Sequence, residues 1–200
     1  MKTLFFTVVM CLFVMNANAQ KIVVESGNID FLKNEKLVKV AFTYDKMLVG
    51  KMTEEEYIAK KKGDAEAKSP GGGEKWYEAW TSDRDTRFEP KFIELFNKYI
   101  SEKGGVNLST SDNSRYLMTV NTHFTEPGFN VGVARKNSSV SVRAIFTDTE
   151  TGNEVAVVSI DKSSANDFMG TDFDVAYRIQ ESYGKAGREL AKFLIKKLKL

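Results

Sequence analysis

Apolar positions along this chain repeat with two different spacings, and the spacing predicts most of its elements. Leu37 to Tyr44 alternates as a strand does, with Val38, Val40, Phe42 and Tyr44 on one side. Its other side, Leu37, Lys39, Ala41 and Thr43, is only half polar. Tyr116, Met118, Val120, Thr122 and Phe124 alternate in the same way with Leu117, Thr119, Asn121 and His123. Val140, Val142, Ala144 and Phe146 form one face of the next strand, and Val155 to Ile160 returns beside it through a turn at Asp148 to Asn153. Ile22-Val23-Val24 is a shorter strand, closed by Gly27-Asn28.

Elsewhere the period is helical. Phe88, Phe92, Leu95, Phe96, Tyr99 and Ile100 form an amphipathic stripe that stops at Gly104-Gly105. Ile179, Tyr183, Gly187, Leu190, Leu194 and Leu198 trace one face of a long last helix, about 171–199. Gly184 and Gly187 each cost that helix about 1 kcal/mol against alanine, so they predict close packing against the sheet. Lys192, Lys196, Lys197 and Lys199 sit where the helix dipole favours cations. Thr53 and Glu56 have capping-box spacing and predict a helix start, with Met52 and Tyr57 as its apolar staple. That helix is expected to fade by Lys62-Gly63, and the glycines from there to Gly73 predict a flexible loop. A further helix over 74–86 gathers Trp76, Tyr77 and Trp80. Pro90 predicts a kink or break near Asp85 to Pro90, because the residue before proline avoids the helical region.

A sheet with one apolar face and helices with one apolar stripe must cover each other. The predicted fold is therefore α+β, a two-layer sandwich. Its sheet is mainly antiparallel and is covered by amphipathic helices, the long C-terminal one included. Residues 20–200 suffice for a single domain with one core.

The first nineteen residues are set apart. Lys2, the apolar run Leu4 to Met15 and then Ala17-Asn18-Ala19 make the three parts of a cleavable signal peptide, with cleavage before Gln20. The run is shorter than the roughly 20 apolar residues that span a bilayer. Export to the periplasm or the extracellular space is thus expected, and no later run is long enough to cross a membrane. The only cysteine, Cys11, lies inside the signal, so disulfides, thiolate metal sites and cysteine nucleophiles are excluded from the mature chain. With 29 Lys and Arg against 27 Asp and Glu, the near balance gives no electrostatic reason to bind nucleic acid.

The stretch Phe124-Thr125-Glu126-Pro127-Gly128-Phe129-Asn130-Val131-Gly132-Val133, with the Tyr-Leu-Met-Thr-Val strand before it, resembles uncharacterised exported proteins of the Bacteroidetes type. The Ala-Gln junction at 19 and 20 is similar to signal peptides of that group. More distantly, Asp148-Thr149-Glu150-Thr151-Gly152 between two strands, followed by a closing helix, is similar to small envelope domains such as the amino-terminal domain of TolB. Lipoprotein members of that group carry an anchor cysteine that is absent here. Both resemblances imply an envelope or secreted setting, and neither implies a reaction or supplies a functional residue.

Candidate chemistry is sparse. His123 is the only histidine, and no nucleophile elbow accompanies it. One histidine and no mature cysteine leave no ordinary zinc set, and no cofactor is expected. Asn166, Asp167, Asp172 and Asp174 could offer oxygens to calcium, but their spacing is not an EF-hand, and Asp172 or Thr171 serves equally as a helix cap. Asp83 and Arg87 have the spacing of an ordinary helical ion pair. Pro70-Gly71-Gly72-Gly73-Glu74-Lys75 lacks phosphate-loop spacing.

Trp76 and Trp80 share a helical face and could stack on sugar rings or anchor a partner; they could also simply close one end of the core. Phe129 falls in a turn beside Glu126, either as a contact point or as a plug on the core, and Gly128 and Gly132 suggest a bulge or tight turn there. No catalytic residue is assigned. The first reading is a non-enzymatic exported domain that binds an envelope protein or glycan, with Trp76, Trp80, Glu126 and Phe129 as contact candidates. The second is an extracytoplasmic hydrolase using Glu126, Asp83 and Asp85. The third is a small-ligand carrier, which needs an enclosed apolar cavity.

Overall fold

The computed structural model describes residues 20–111, 113–131, 134–164 and 174–200. The expected signal peptide lies outside them. The alternating stretches become one eight-stranded sheet. Its strands are β1 (Lys21–Gly27), β2 (Leu37–Thr43), β3 (Leu48–Val49), β4 (Met52–Thr53), β5 (Asn107–Ser109), β6 (Tyr116–Glu126), β9 (Ser139–Asp148) and β10 (Glu154–Ser163). Two very short strands, β7 (Phe129–Asn130) and β8 (Arg135–Lys136), form a separate hairpin. The order across the main sheet is β1-β10-β9-β6-β2-β5. β3 pairs with β6 further along that strand than β2 does, and β4 pairs with β3. The longest pairings, β6 with β9, β9 with β10 and β10 with β1, are all antiparallel. β2 instead runs parallel to both β5 and β6. Parallel neighbours cannot be joined by a hairpin and need a crossover. The chain supplies it with α1 (Glu54–Glu66), α2 (Gly72–Asp83) and α3 (Glu89–Ser101).

Helices α3 and α4 (Val175–Leu198) pack on each other and cover one face of the sheet. Val38, Val40, Met118, Val120, Val142, Ala144, Phe146, Val158 and Ile160 are buried beneath Phe92, Phe96, Ile100, Ile179, Tyr183, Leu190 and Leu194. The α+β two-layer sandwich expected from periodicity is therefore the architecture. Tyr183 is fully inside, and its hydroxyl meets that of Thr122 at 2.7 Å, so burying the phenol leaves no unpaired polar atom. Gly184 and Gly187 pack against α3 rather than against the sheet, since their nearest neighbours are Lys91, Phe92 and Leu95. Among the described residues, no helix is long and apolar enough to cross a membrane.

Three local departures have physical causes. First, β6 carries a bulge between Thr122 and Phe124, which shifts its register against β9. One extra residue exchanges the faces, so Thr125 is buried and Phe124 leaves the core face that strict alternation assigns it. Second, α1 runs through Gly63 to Glu66 instead of fading. Its capping box is present at Thr53 and Glu56, and the Glu66 carboxylate accepts the N–H groups of Gly71 and Gly73, both at 3.0 Å. The expected flexible loop is reduced to a turn. Third, the expected kink or break near Asp85 to Pro90 is a π-helical segment, Arg84–Phe88, that joins α2 to α3. Pro90 has no N–H for the carbonyl of Thr86, and the ladder adjusts so that the Glu89 N–H bonds the carbonyl of Arg84, five residues back.

Candidate functional site

The capping box fixes where α1 starts and so fixes Tyr57, one residue beyond it. Helix α2 returns antiparallel to α1 after the Glu66 turn and sets Trp76 and Trp80 one turn apart on its inner side. Their rings stack at 5.7 Å with planes 13° apart. Tyr57 meets Trp76 edge-on at 5.9 Å and leans on Trp80 at 5.1 Å. The start of α4 faces this triad with Val175, Ala176 and Ile179. Between them is an open cleft of about 200 Å³, completed by Lys61, Ala79, Asp83, Phe88 and Asp174.

The back of the cleft is tied together by a chain of polar contacts. Trp80 is 8% exposed, and its indole N–H donates to Glu54 Oε1 at 2.7 Å. The same oxygen accepts Arg84, whose guanidinium lies over the Tyr44 ring at 4.1 Å. Tyr44 in turn donates to Glu89 at 3.0 Å. Burial pushes the Tyr44 hydroxyl far above the usual phenol range, and it raises Glu89 as well. A recess of about 10 Å³, room for one water, lies behind Trp80 and Phe88. Trp76 is the partly exposed member of the pair, so its ring is the aromatic surface the cleft offers most openly.

The rim is charged and balanced. Arg87 reaches Asp83 at 3.6 Å and Asp174 at 3.2 Å, and its Nε–H donates to Gln180 at 3.1 Å. Asp174 also caps α4 by accepting the Ala176 N–H at 2.9 Å. Burial first, and then the Asp174 carboxylate, raise the carboxyl of Asp83, while Arg87 opposes the shift. Lys61 lies over the Tyr57 ring at 5.7 Å. Burial, aided by the Glu126 carboxylate and opposed by Arg178, pushes the Tyr57 phenol up to about 12.

The structure gathers Trp76, Trp80 and Asp83 around the cleft, and Glu126, Phe129 and Asp85 do not line it. Glu126 belongs to the foot of the β7–β8 hairpin, where it accepts Lys136 at 2.5 Å and the Gly128 N–H at 3.1 Å. Phe129 stands out from that hairpin, 44% exposed beside Val131 at 65%, so it is not a plug on the core. Gly128 makes the tight turn with φ +65°, and a β-carbon there would meet the Lys136 carbonyl at 2.3 Å. Asp85 lines a different, shallow hollow with Glu89 and Glu94. His123 is half-buried on the face away from the helices, and burial lowers its imidazole. Its Nδ1 has no hydrogen-bond partner among the described residues. Of the calcium candidates, Asn166, Asp167 and Asp172 lie outside the described residues. Among the described residues, no group of three or more His, Cys, Asp or Glu could hold a metal. The two tryptophans are legible in the sequence by their clustering, whereas Val175 and Ile179 as cleft walls, and Tyr57 as more than a staple, are not.

No protein-family model matches this chain, and no curated protein matches it. Among solved structures, the chain is similar to the PelC dodecamer from Paraburkholderia phytofirmans, at 14% identity and a TM-score of 0.40. That match covers 84% of this chain and 96% of the other. It is also similar to a homolog of a neuraminyllactose-binding hemagglutinin from Helicobacter pylori, at 13% identity and a TM-score of 0.38. There the coverage is 83% of this chain and 89% of the other. A Xanthomonas campestris protein of family DUF330 matches at 11% identity and a TM-score of 0.34 over 56% of this chain. Likeness this loose says nothing of what this chain binds or assembles into.

Proposed function

We propose that this chain works outside the cytoplasm as a non-enzymatic binding domain and that the Trp76–Trp80 cleft is its contact site. Export is supported by the signal pattern of residues 1–19. The single observation behind the site is the cleft itself, in which one large aromatic side chain, Trp76, stays partly open to solvent while it stacks on the buried Trp80 and meets the buried Tyr57. Three rings held by the contacts behind them lose little conformational freedom on binding, which is the economy of an aromatic anchor site. The acids of the hydrolase reading do not meet. Asp83 is tied to Arg87, Glu126 to Lys136, and Asp85 faces another hollow.

The test is capture of a partner from the native envelope by immobilised chain 20–200, using Trp76→Ala and Phe129→Ala side by side. Capture lost in Trp76→Ala and kept in Phe129→Ala is the expected result. The opposite pattern would place the contact on the hairpin and overturn the cleft reading. Mass analysis of the exported protein should find Gln20, free or cyclised, at its amino terminus.

A further inference from the structure

Resting on the reading of the cleft as the contact site, we propose that its occupant is one neutral sugar ring of a glycan chain. Size limits the choice first. Pockets for drug-sized ligands run to about 300–1,000 Å³, and this cleft holds about 200 Å³. It takes one ring and leaves the remainder of a larger molecule outside. The walls come next. Tyr57, Trp76 and Trp80 present rings, and Val175, Ala176 and Ile179 face them. Such a slot suits a flat body with C–H groups on its faces, since the electron-rich face of an aromatic ring attracts positively polarised hydrogen.

The rim then decides between a sugar and an apolar side chain of a protein. The lining carries two carboxylates, Asp83 and Asp174, and one cation, Lys61, and Arg87 beside the cleft pairs with both carboxylates, so the cleft asks for no net charge. A phosphate or an acidic group would meet the Asp83 carboxylate, and a lone cation would find its counter-charges already taken by Arg87. An apolar side chain would strip water from Asp83 and Lys61 and return nothing, a costly exchange. Hydroxyl groups return it. They donate to the carboxylates and accept from the lysine without disturbing the charge balance. A ring with apolar faces and a hydroxylated edge satisfies the walls and the rim together.

Both tryptophans of the chain line the cleft, so tryptophan emission reads this site and no other. The experiment titrates chain 20–200 with neutral trisaccharides of glucose, galactose, mannose or N-acetylglucosamine and, separately, with an acidic trisaccharide. Emission and isothermal titration are read in parallel. The expected result is saturable binding of at least one neutral sugar, weakened tenfold or more by Trp76→Ala. Trp76→Phe should weaken it less, and Lys61→Ala should weaken it with the melting temperature unchanged. Trp76→Phe also covers the case in which the alanine variant does not fold. No saturable response to any neutral sugar overturns the proposal, and so does a response to the acidic sugar alone. A neutral-sugar response unchanged in both Trp76 variants overturns it too. None of these outcomes touches the envelope capture, whose dependence on Trp76 stands or falls separately.

Discussion

A β-carbon built on Gly187 would stand 2.2 Å from the Phe92 carbonyl oxygen, whereas one on Gly184 would meet side-chain carbons of Leu95 and Lys91 at 2.9 and 3.0 Å. Backbone in a packed helix cannot retreat, but flexible side chains can. Alanine also gains about 1 kcal/mol of helix propensity over glycine. Gly187→Ala is therefore expected to destabilise the protein by about 1–3 kcal/mol through forced separation of α3 and α4. Gly184→Ala should come out close to neutral. Urea midpoints of the two variants check this, and equal midpoints would mean that the close approach at Gly187 is not rigid. The sequence made these glycines legible as an expense with a purpose. It did not make the partner legible, because periodicity states which face turns inward and not which element waits there. The cleft follows the same rule. Trp76 and Trp80 announce themselves by being neighbours, while Tyr57 and Ile179 join them from distant stretches that no spacing connects.

Elements were legible where their ends carry chemistry. Thr53 and Glu56 marked the start of α1, and Pro90 marked the disturbed segment before α3. What the disturbance becomes, a π-helical segment out of the expected kink or break, depends on Arg84, Arg87 and Phe88 finding partners in Glu54, Asp174 and Tyr183. The β9–β10 turn was read from Asp148 to Asn153 and owes its form to Asp148. That carboxylate accepts the Glu150 N–H at 3.0 Å and two donors of Arg115, at 2.8 and 3.2 Å. The hydrogen bond from Arg115 is the main force holding the Asp148 carboxyl below its ordinary value of 3.8. Between the folded and ordinary values the unfolded chain binds the extra proton, so stability there rises with pH. The contribution of Asp148 is present above about pH 4 and fades as the pH falls through its folded value. Asp148→Asn is expected to lower the urea midpoint at pH 7 and to differ little from the parent near pH 2. A deficit of the same size at both values would assign the turn to hydrogen-bond geometry and not to charge.

At the scale of the molecule, the two layers were legible because each exposes one apolar side that only the other can cover. The strand order was not. Nothing in the alternation of β2 distinguishes a parallel neighbour from an antiparallel one, and β1 reaches the sheet edge beside β10, from the opposite end of the chain. The closing helix decides whether the layered account is right. Leu190 and Leu194 are fully buried, and the apolar face of α4 continues through Ile179 and Tyr183 to Leu198. Truncating a buried leucine costs about 2–5 kcal/mol, a large share of the roughly 5–15 kcal/mol that holds a domain together. Leu190→Ala is therefore expected to lower the urea midpoint strongly. Lys196→Ala should shift it by no more than about 0.3–1 kcal/mol, since that lysine is exposed in the last turn of the helix and contributes mainly through the helix dipole. The competing account makes α4 a basic strip for an anionic membrane, carried by Lys192, Lys196 and Lys197. On that account, charge removal leaves stability alone and abolishes salt-sensitive binding to acidic vesicles. Urea unfolding of both variants beside vesicle sedimentation separates the two. A Leu190→Ala chain that unfolds at the parent's midpoint would remove α4 from the core and, with it, the wall that Val175, Ala176 and Ile179 give to the cleft.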